Sequence, residues 1–367
     1  MVELKLIIAD HDLGYINAMT KYLSSWGKRK FHMVSFTNPV LLKEYLTTKQ
    51  GDILLISPDW IEDDMALSSV QVAVLLNDSD RLPGALSNYP SINKYQPGDV
   101  LGKQLIRIFS EHSDDEMIVT HTPSSTSLIG IYSPAGGVGK TTLAVTMARL
   151  LAKCQIPTLL LSLEDLASYG AMLQDDLSYH FSDILYFVKQ KHKNLMLKVE
   201  GLKSIDEPTG LHYFSPVSCY QDMQEVTIEE WVRFITYIKE HSGYERIVLD
   251  FDSSLGHRNI KLLGMCEQLM VLANEQPVSI YKVKKMYQHF DKMGMTMLRE
   301  KASLVVNDNT GCQGEEGLAM DDFPIAGHLP YDDTLNTMRD QHINLEGILA
   351  SSLKEYLGLT SGERDAN

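Results

Sequence analysis

The chain has 367 residues, 44% of them apolar and 22% charged, a balance that suits a globular protein with room for two or three domains. Its net charge of −15 argues against nonspecific nucleic-acid binding, which needs clustered Lys and Arg to displace counterions. No apolar run approaches the length of a membrane span, and the N-terminus meets Asp10, His11 and Asp12 without the basic and apolar regions of a secretory signal. A cytoplasmic protein with no direct membrane insertion is expected.

Strand and helix patterns alternate through residues 1–110. Residues 4–9, 31–35, 52–57 and 70–76 read as strands, and 40–46 and 100–109 as helices. Residues 13–26 read as a helix with Ile16, Met19, Tyr22 and Leu23 on one face. Such alternation implies a parallel sheet covered on both faces. The order resembles a response-regulator receiver domain. Asp10 and Asp12 end the first strand where receivers carry Mg²⁺-binding acids, and Lys94 stands where they carry a lysine. Ser57 occupies the place of the phosphate-accepting aspartate. A hydroxyl is no carboxylate nucleophile, so aspartyl-phosphate chemistry is expected to be absent. The resemblance implies a pseudo-receiver used for docking or dimerisation.

Residues 111–127 are acidic, then small and polar with a proline, and read as a linker between a module at 1–110 and one at 128–367. Cys154, Cys219, Cys266 and Cys312 lie far apart, as expected of reduced, mostly buried thiols rather than a metal or disulfide framework. The basic cluster Lys189, Lys191, Lys193 and Lys198 reads as a solvated helix end.

The second module opens with an apolar strand (128–132), then Ser133-Pro-Ala-Gly-Gly-Val-Gly-Lys-Thr-Thr142, then an amphipathic helix. This is the layout of a phosphate-binding loop. Backbone N–H groups of Gly136, Gly137, Val138 and Gly139 can close on phosphate oxygens, with Lys140 on the outer phosphates. Thr141 can reach a bound Mg²⁺, and Thr142 completes the turn into the helix. Pro134 stands where the first glycine of Gly-x-x-x-x-Gly-Lys-Ser/Thr belongs, so the loop resembles the Gly-Gly-x-Gly-Lys-Thr variant of the MinD/ParA-like ATPases. In that family a further lysine reaches across a dimer to the partner's ATP. Ala135 occupies its position, which implies slow or absent hydrolysis. Ala135→Lys is expected to raise turnover if the family's dimer geometry holds.

Residues 158–162 form an apolar strand followed by Leu163, Glu164 and Asp165. The family ends this strand Asp-x-Asp, the second acid positioning the attacking water. Glu164 keeps a carboxylate there, and it reads equally as a catalytic group or as a solvated loop residue. Residues 246–250 are an apolar strand ending in Asp250, as a Walker B element requires, with Asp250 holding the Mg²⁺ hydration shell. A helix at 228–241 precedes it, strands follow at 268–274 and 302–308, and a helix is read at 279–291. By the family's pattern Asn307 and Pro330 border the adenine; taken alone, either is structural. Residues 345–357 read as a helix with an acidic surround, suited to packing or dimerisation rather than to an anionic lipid surface.

Together these features predict an α/β protein of two doubly wound parallel-sheet domains. The combination resembles the TadZ/CpaE family. That resemblance implies an ATP- and Mg²⁺-binding homodimer that places Tad/Flp pilus assembly machinery, with the pilus secretion ATPase and inner-membrane components as partners at the inner face of the membrane or a cell pole. An ATP-dependent metabolic enzyme or a regulatory ATPase on the same fold is the other reading. No helix-turn-helix pattern and no paired cysteines point to DNA reading or to an iron–sulfur cluster.

Overall fold

The computed structural model describes residues 4–25, 31–62, 65–78, 84–112, 126–173, 179–307, 325–332 and 343–359. Most of the expected linker, 113–125, and Cys312 lie outside the described residues. The chain divides into two compact units, 1–121 with 190–202, and 122–189 with 203–367. In this division 190–202 groups with the first unit.

In the first unit, β1 (Leu4–Ala9), α1 (Leu13–Ser25), β2 (Phe31–Phe36), α2 (Pro39–Thr48), β3 (Gly51–Ile56), β4 (Val70–Asn77), β5 (Ser91–Asn93) and α3 (Gly98–His112) follow in turn. The strands pair parallel in the order β2-β1-β3-β4-β5, that of flavodoxin-like doubly wound sheets. Strand alternation sends Leu4, Leu6 and Ile8 to one face, where they pack with Ile16, Met19 and Leu23 of α1 and Leu101, Leu105 and Phe109 of α3. Ile7 and Ala9 turn to the other face, against Leu42, Leu46 and Trp60. Tyr22, expected on the apolar face of α1, is exposed, and its ring instead covers Gly98, where a Cβ would come within 2.6 Å of it.

The helix Leu195–Leu202 packs on α3 in this unit, with Leu197 in the same core. Lys189, Lys191 and Lys193 are exposed, as expected of a solvated basic stretch, but Lys198 is not. Lys198 is 1% exposed, and burial lowers its pKa to about 8 against the opposing pull of Glu111. Lys189 is paired with Glu225 at 2.7 Å.

The second unit runs β6 (Ser127–Tyr132), α4 (Lys140–Lys153), β7 (Thr158–Ser162) and α5 (Phe181–Lys189). The helix just described is α6. Then come β8 (Ser204–Asp206), β9 (Leu211–Tyr213), α7 (Tyr220–Glu225), α8 (Ile228–His241), β10 (Arg246–Asp250), α9 (His257–Met265) and β11 (Gln268–Ala273). The unit continues with α10 (Pro277–Lys292), α11 (Thr296–Lys301), β12 (Ala302–Asn307), β13 (Ile325–Leu329) and α12 (Ile348–Tyr356).

Its eight-stranded sheet has the order β13-β12-β11-β6-β10-β7-β9-β8, parallel except for the β8–β9 pair. Central strands such as β10 are apolar on both faces because helices cover both. On one face α4 is buried along nearly its whole length, and Leu349 and Leu353 of α12 join the same core. Gly347 is the N-cap of α12, so Leu345 packs from the preceding loop rather than from the helix. A Thr227–Glu230 capping box starts α8, whose Trp231 and Phe234 pack around Phe181. The chain leaves β6 toward β10 and β7 on one side and later returns to β11 and β12 on the other. Such a switch point opens a crevice at the strands' C-terminal ends, where open α/β sheets bind ligands.

Candidate nucleotide site

Residues 133–139 turn from the end of β6 into α4. Gly137 and Gly139 take φ of +70° and +92°, which an L side chain resists. A Cβ on Gly136 or Gly137 would meet nothing within 4 Å, so the turn is an open cradle with the N-terminus of α4 at its base. At Gly139 a Cβ would strike the Asn307 amide nitrogen at 2.6 Å. That same amide donates to the Val138 carbonyl at 2.9 Å, so Asn307 fastens the loop from the end of β12. Val138 is buried and offers the loop only its backbone, and Thr142 is half-buried in the first turn of α4. Pro330 follows directly on Leu329, the register partner of Asn307, which sets both residues at one edge of the sheet.

Strand register brings the acids to this turn. Asp250 is paired in register with Ile131 of β6 and Ser162 of β7. It is fully buried, and neither carboxylate oxygen has a donor in good hydrogen-bond geometry. Burial raises its pKa to about 8, Glu164 adds to the rise, and the Thr141 hydroxyl and Lys140 oppose it. Glu164 is half-buried, and burial raises its pKa against the pull of Lys140 and of hydrogen bonds from Ser168. The Ser168 hydroxyl stands 3.5 Å from Thr141 Oγ1 and 3.4 Å from Glu164 Oε2, linking the two.

Lys140 is buried, and its Nζ donates to Ser253 Oγ at 2.8 Å, with the Ala135 carbonyl at 3.5 Å. Ser253 in turn donates to that carbonyl at 3.1 Å. Burial lowers the Lys140 pKa, with Asp250, Glu164 and Asp252 pulling it back up. Ala135 is 4% exposed within the apolar core, so a lysine there would begin its path among apolar side chains. The structure thus gathers 136–142, Glu164, Asp250 and Asn307 at the crevice. It adds Ser253, Ser168 and Arg258, which sequence reasoning did not single out. Ser253 had a signal, since it follows the quoted strand end by three residues; Arg258 had none.

A profile described as the CobQ/CobB/MinD/ParA nucleotide binding domain matches residues 129–345, more than half of the chain. The chain belongs to this family. Among solved structures, a ParA family ATPase from Chlorobium tepidum TLS matches this CobQ/CobB/MinD/ParA member with 16% identity and a TM-score of 0.51, over 65% of this chain and 100% of that one. MinD from Aquifex aeolicus matches with 18% identity and a TM-score of 0.50, over 66% and 100%. A McdA–ATP complex from Cyanothece matches with 13% identity and a TM-score of 0.50, over 66% and 100%. These likenesses establish a shared fold. No match to a curated protein was found.

In the first unit, Asp10, Asp12, Ser57 and Lys94 come together at the strand ends. Lys94 Nζ bonds both Asp10 oxygens, at 2.8 and 2.9 Å, and the Asp12 N–H donates to Asp10 Oδ1 at 2.8 Å. Ser57 follows β3 directly, buried, with its N–H on the Ala9 carbonyl. Among the described residues no group of three or more His, Cys, Asp or Glu could hold a metal, and no helix is long and apolar enough to cross a membrane.

Proposed function

We propose that the second unit binds ATP with Mg²⁺, and that the protein is a slowly hydrolysing, dimeric spatial organiser of Tad/Flp pilus assembly, of the TadZ/CpaE kind. The observation that carries the nucleotide reading is Asp250, a buried carboxylate with no donor in good hydrogen-bond geometry, set beside Lys140, the Thr141 hydroxyl and an open glycine cradle. A lone buried carboxylate of this kind is expensive unless a cation completes it. Thr141 and, through water, Asp250 would hold Mg²⁺, which would supply positive charge between the outer phosphates. The Cyanothece relative in fold is an ATP complex.

The residues divide the work. N–H groups of Gly136 to Gly139 receive phosphate oxygens at the start of α4. Lys140 leaves Ser253 and pairs with the outer phosphates. Glu164 orients water, its raised pKa leaving it basic enough to accept a proton. Asn307 and Pro330 border the base, Asn307 while bracing the loop. With alanine at position 135, the family's cross-dimer cation is missing, and the transition state forgoes that stabilisation.

The first unit supplies docking. Its strand order and its Ser57 suit a pseudo-receiver that addresses the protein to the pilus secretion ATPase and inner-membrane components at the membrane or a pole. Aquifex MinD, a relative in fold, is solved in complex with MinC.

Calorimetry on folded, nucleotide-stripped protein tests the site: Mg²⁺-dependent ATP uptake is expected, with dimer formed on ATP addition in size-exclusion chromatography. No uptake overturns the nucleotide reading. A fluorescent fusion is expected to form foci that vanish in cells lacking the pilus assembly genes; foci that persist there overturn the pilus role.

A further inference from the structure

Arg258, near the start of α9, reaches back across the strand ends. Its guanidinium donates to the Leu163 carbonyl at 2.9 Å and to Asp252 Oδ2 at 2.8 Å, and stands 3.6 Å from Asp165 Oδ1. Leu163 and Asp165 are the immediate neighbours of Glu164, so this one side chain grips the chain on both sides of that carboxylate. Asn259, next on the helix, donates to Asp252 Oδ1 at 2.6 Å and to the Ser254 carbonyl at 2.9 Å. The loop that carries Ser253, the partner of Lys140, is therefore held between α9 and the crevice. Leu163 also donates its N–H to the Asp250 carbonyl at 2.8 Å, so both loops leave the sheet side by side.

The guanidinium is mostly buried, at 19% exposure, which lifts its pair with Asp252 above the weak contribution of a surface ion pair. Its planar fork can serve a carbonyl and a carboxylate together, which a point charge cannot. Glu164 itself is held only from nearby in the chain, its N–H on the Ser162 hydroxyl and its carboxylate on the Ser168 hydroxyl and backbone N–H, among the described contacts. Without a clasp, a half-buried acid with a raised pKa gains by swinging into water.

We propose that Arg258 is a positioning residue of this site: it fixes Glu164 beside Asp250 and ties the Glu164 loop to the segment that holds Lys140. The assignment rests on the nucleotide reading above for its purpose, but its geometry stands without nucleotide. Hydrogen exchange on the full chain tests it, with Arg258→Gln and Arg258→Lys. In ligand-free protein, Arg258→Gln is expected to speed exchange at residues 163–168 and 252–256 together, on the order of tenfold, while β6 and α4 keep wild-type protection. Arg258→Lys restores part of the protection at 252–256 and less at 163–168. With ATP and Mg²⁺, wild type changes in both loops and Arg258→Gln only at 252–256. Faster exchange confined to 252–256, or spread evenly through the unit, overturns the proposal. A wild type that takes up no ATP breaks the nucleotide reading alone, since the ligand-free pattern still decides the clasp.

Discussion

Each unit sets a buried aspartate and a lysine at the C-terminal ends of a parallel sheet, and the two pairs are wired in opposite ways. In the first unit, Lys94 spends itself on both oxygens of Asp10, with side-chain exposures of 11% and 4%. In the second, Lys140 bonds Ser253, and the oxygens of Asp250 have no donor in good hydrogen-bond geometry, with only the Thr141 hydroxyl close by. A pair that satisfies itself is part of the fold. An acid left without a well-placed donor in a fully buried place is held by the surrounding sheet against its own solvation, and it is matched only when a cation arrives. The comparison separates a self-satisfied ion pair from an acid that leaves room for a cation, on hydrogen-bond satisfaction rather than on residue type.

The sharpest way to break this contrast is to remove one lysine. Lys94→Met leaves the Asp10 carboxylate buried with only the Asp12 N–H, and the first unit should lose about 3 kcal/mol, the low end for breaking a buried pair. Exchange at β1 and β3 amides reads that loss for this unit alone. An unchanged rate would mean that the Asp10–Lys94 pair contributes nothing to the fold.

Next in size, Asp250→Asn should weaken Mg²⁺-dependent ATP binding by roughly 10- to 100-fold, the range for partners that act on a metal through its outer shell. Calorimetry with and without Mg²⁺ separates this from the metal-free part, which should hardly move. Equal losses in both conditions would place Asp250 in the loop's architecture and not at a cation.

The same acid makes stability depend on pH. Its folded-state pKa is raised to about 8 from 3.8, so across that window the folded chain keeps a proton that the unfolded chain has released. Stability from this group therefore falls as pH rises through the window, by at most about 1.4 kcal/mol per unit, and levels off above it. Asp250→Asn should flatten that slope in thermal melts of ligand-free protein. A slope unchanged by the substitution would show that the carboxylate is already matched.

Much of this was legible in the sequence, and the rest was hidden for a consistent reason. β6, β7, β10 and β12 announced themselves because central parallel strands are apolar runs that stop at Gly, Ser, Asp or Asn. The glycine turn and Asp250 were legible because their chemistry is local to a strand end. The docking of α6 was not, since the basic stretch hides Leu197, which joins a core built from chain far earlier in sequence and buries Lys198 alone of the four lysines. Arg258 was equally silent, its partner Leu163 lying far back in sequence and brought near only by the β10–β7 register. Tyr22 misled by helical spacing, its ring being drawn to the bare surface of Gly98.

The smallest effect concerns the resting place of Lys140. In the ligand-free site, its ammonium bonds Ser253, which also holds the Ala135 carbonyl. Binding a phosphate means giving up that bond, and a net hydrogen bond of this kind is worth about 0.5–1.5 kcal/mol, more when one partner is charged. Ser253→Ala removes the competitor, along with its bond to the Ala135 carbonyl, and leaves the glycines themselves unchanged, so ATP affinity should rise by roughly two- to tenfold in calorimetry. A fall in affinity would reverse the assignment: the hydroxyl would then belong among the groups that receive the nucleotide, and Lys140 would be held by it in both states.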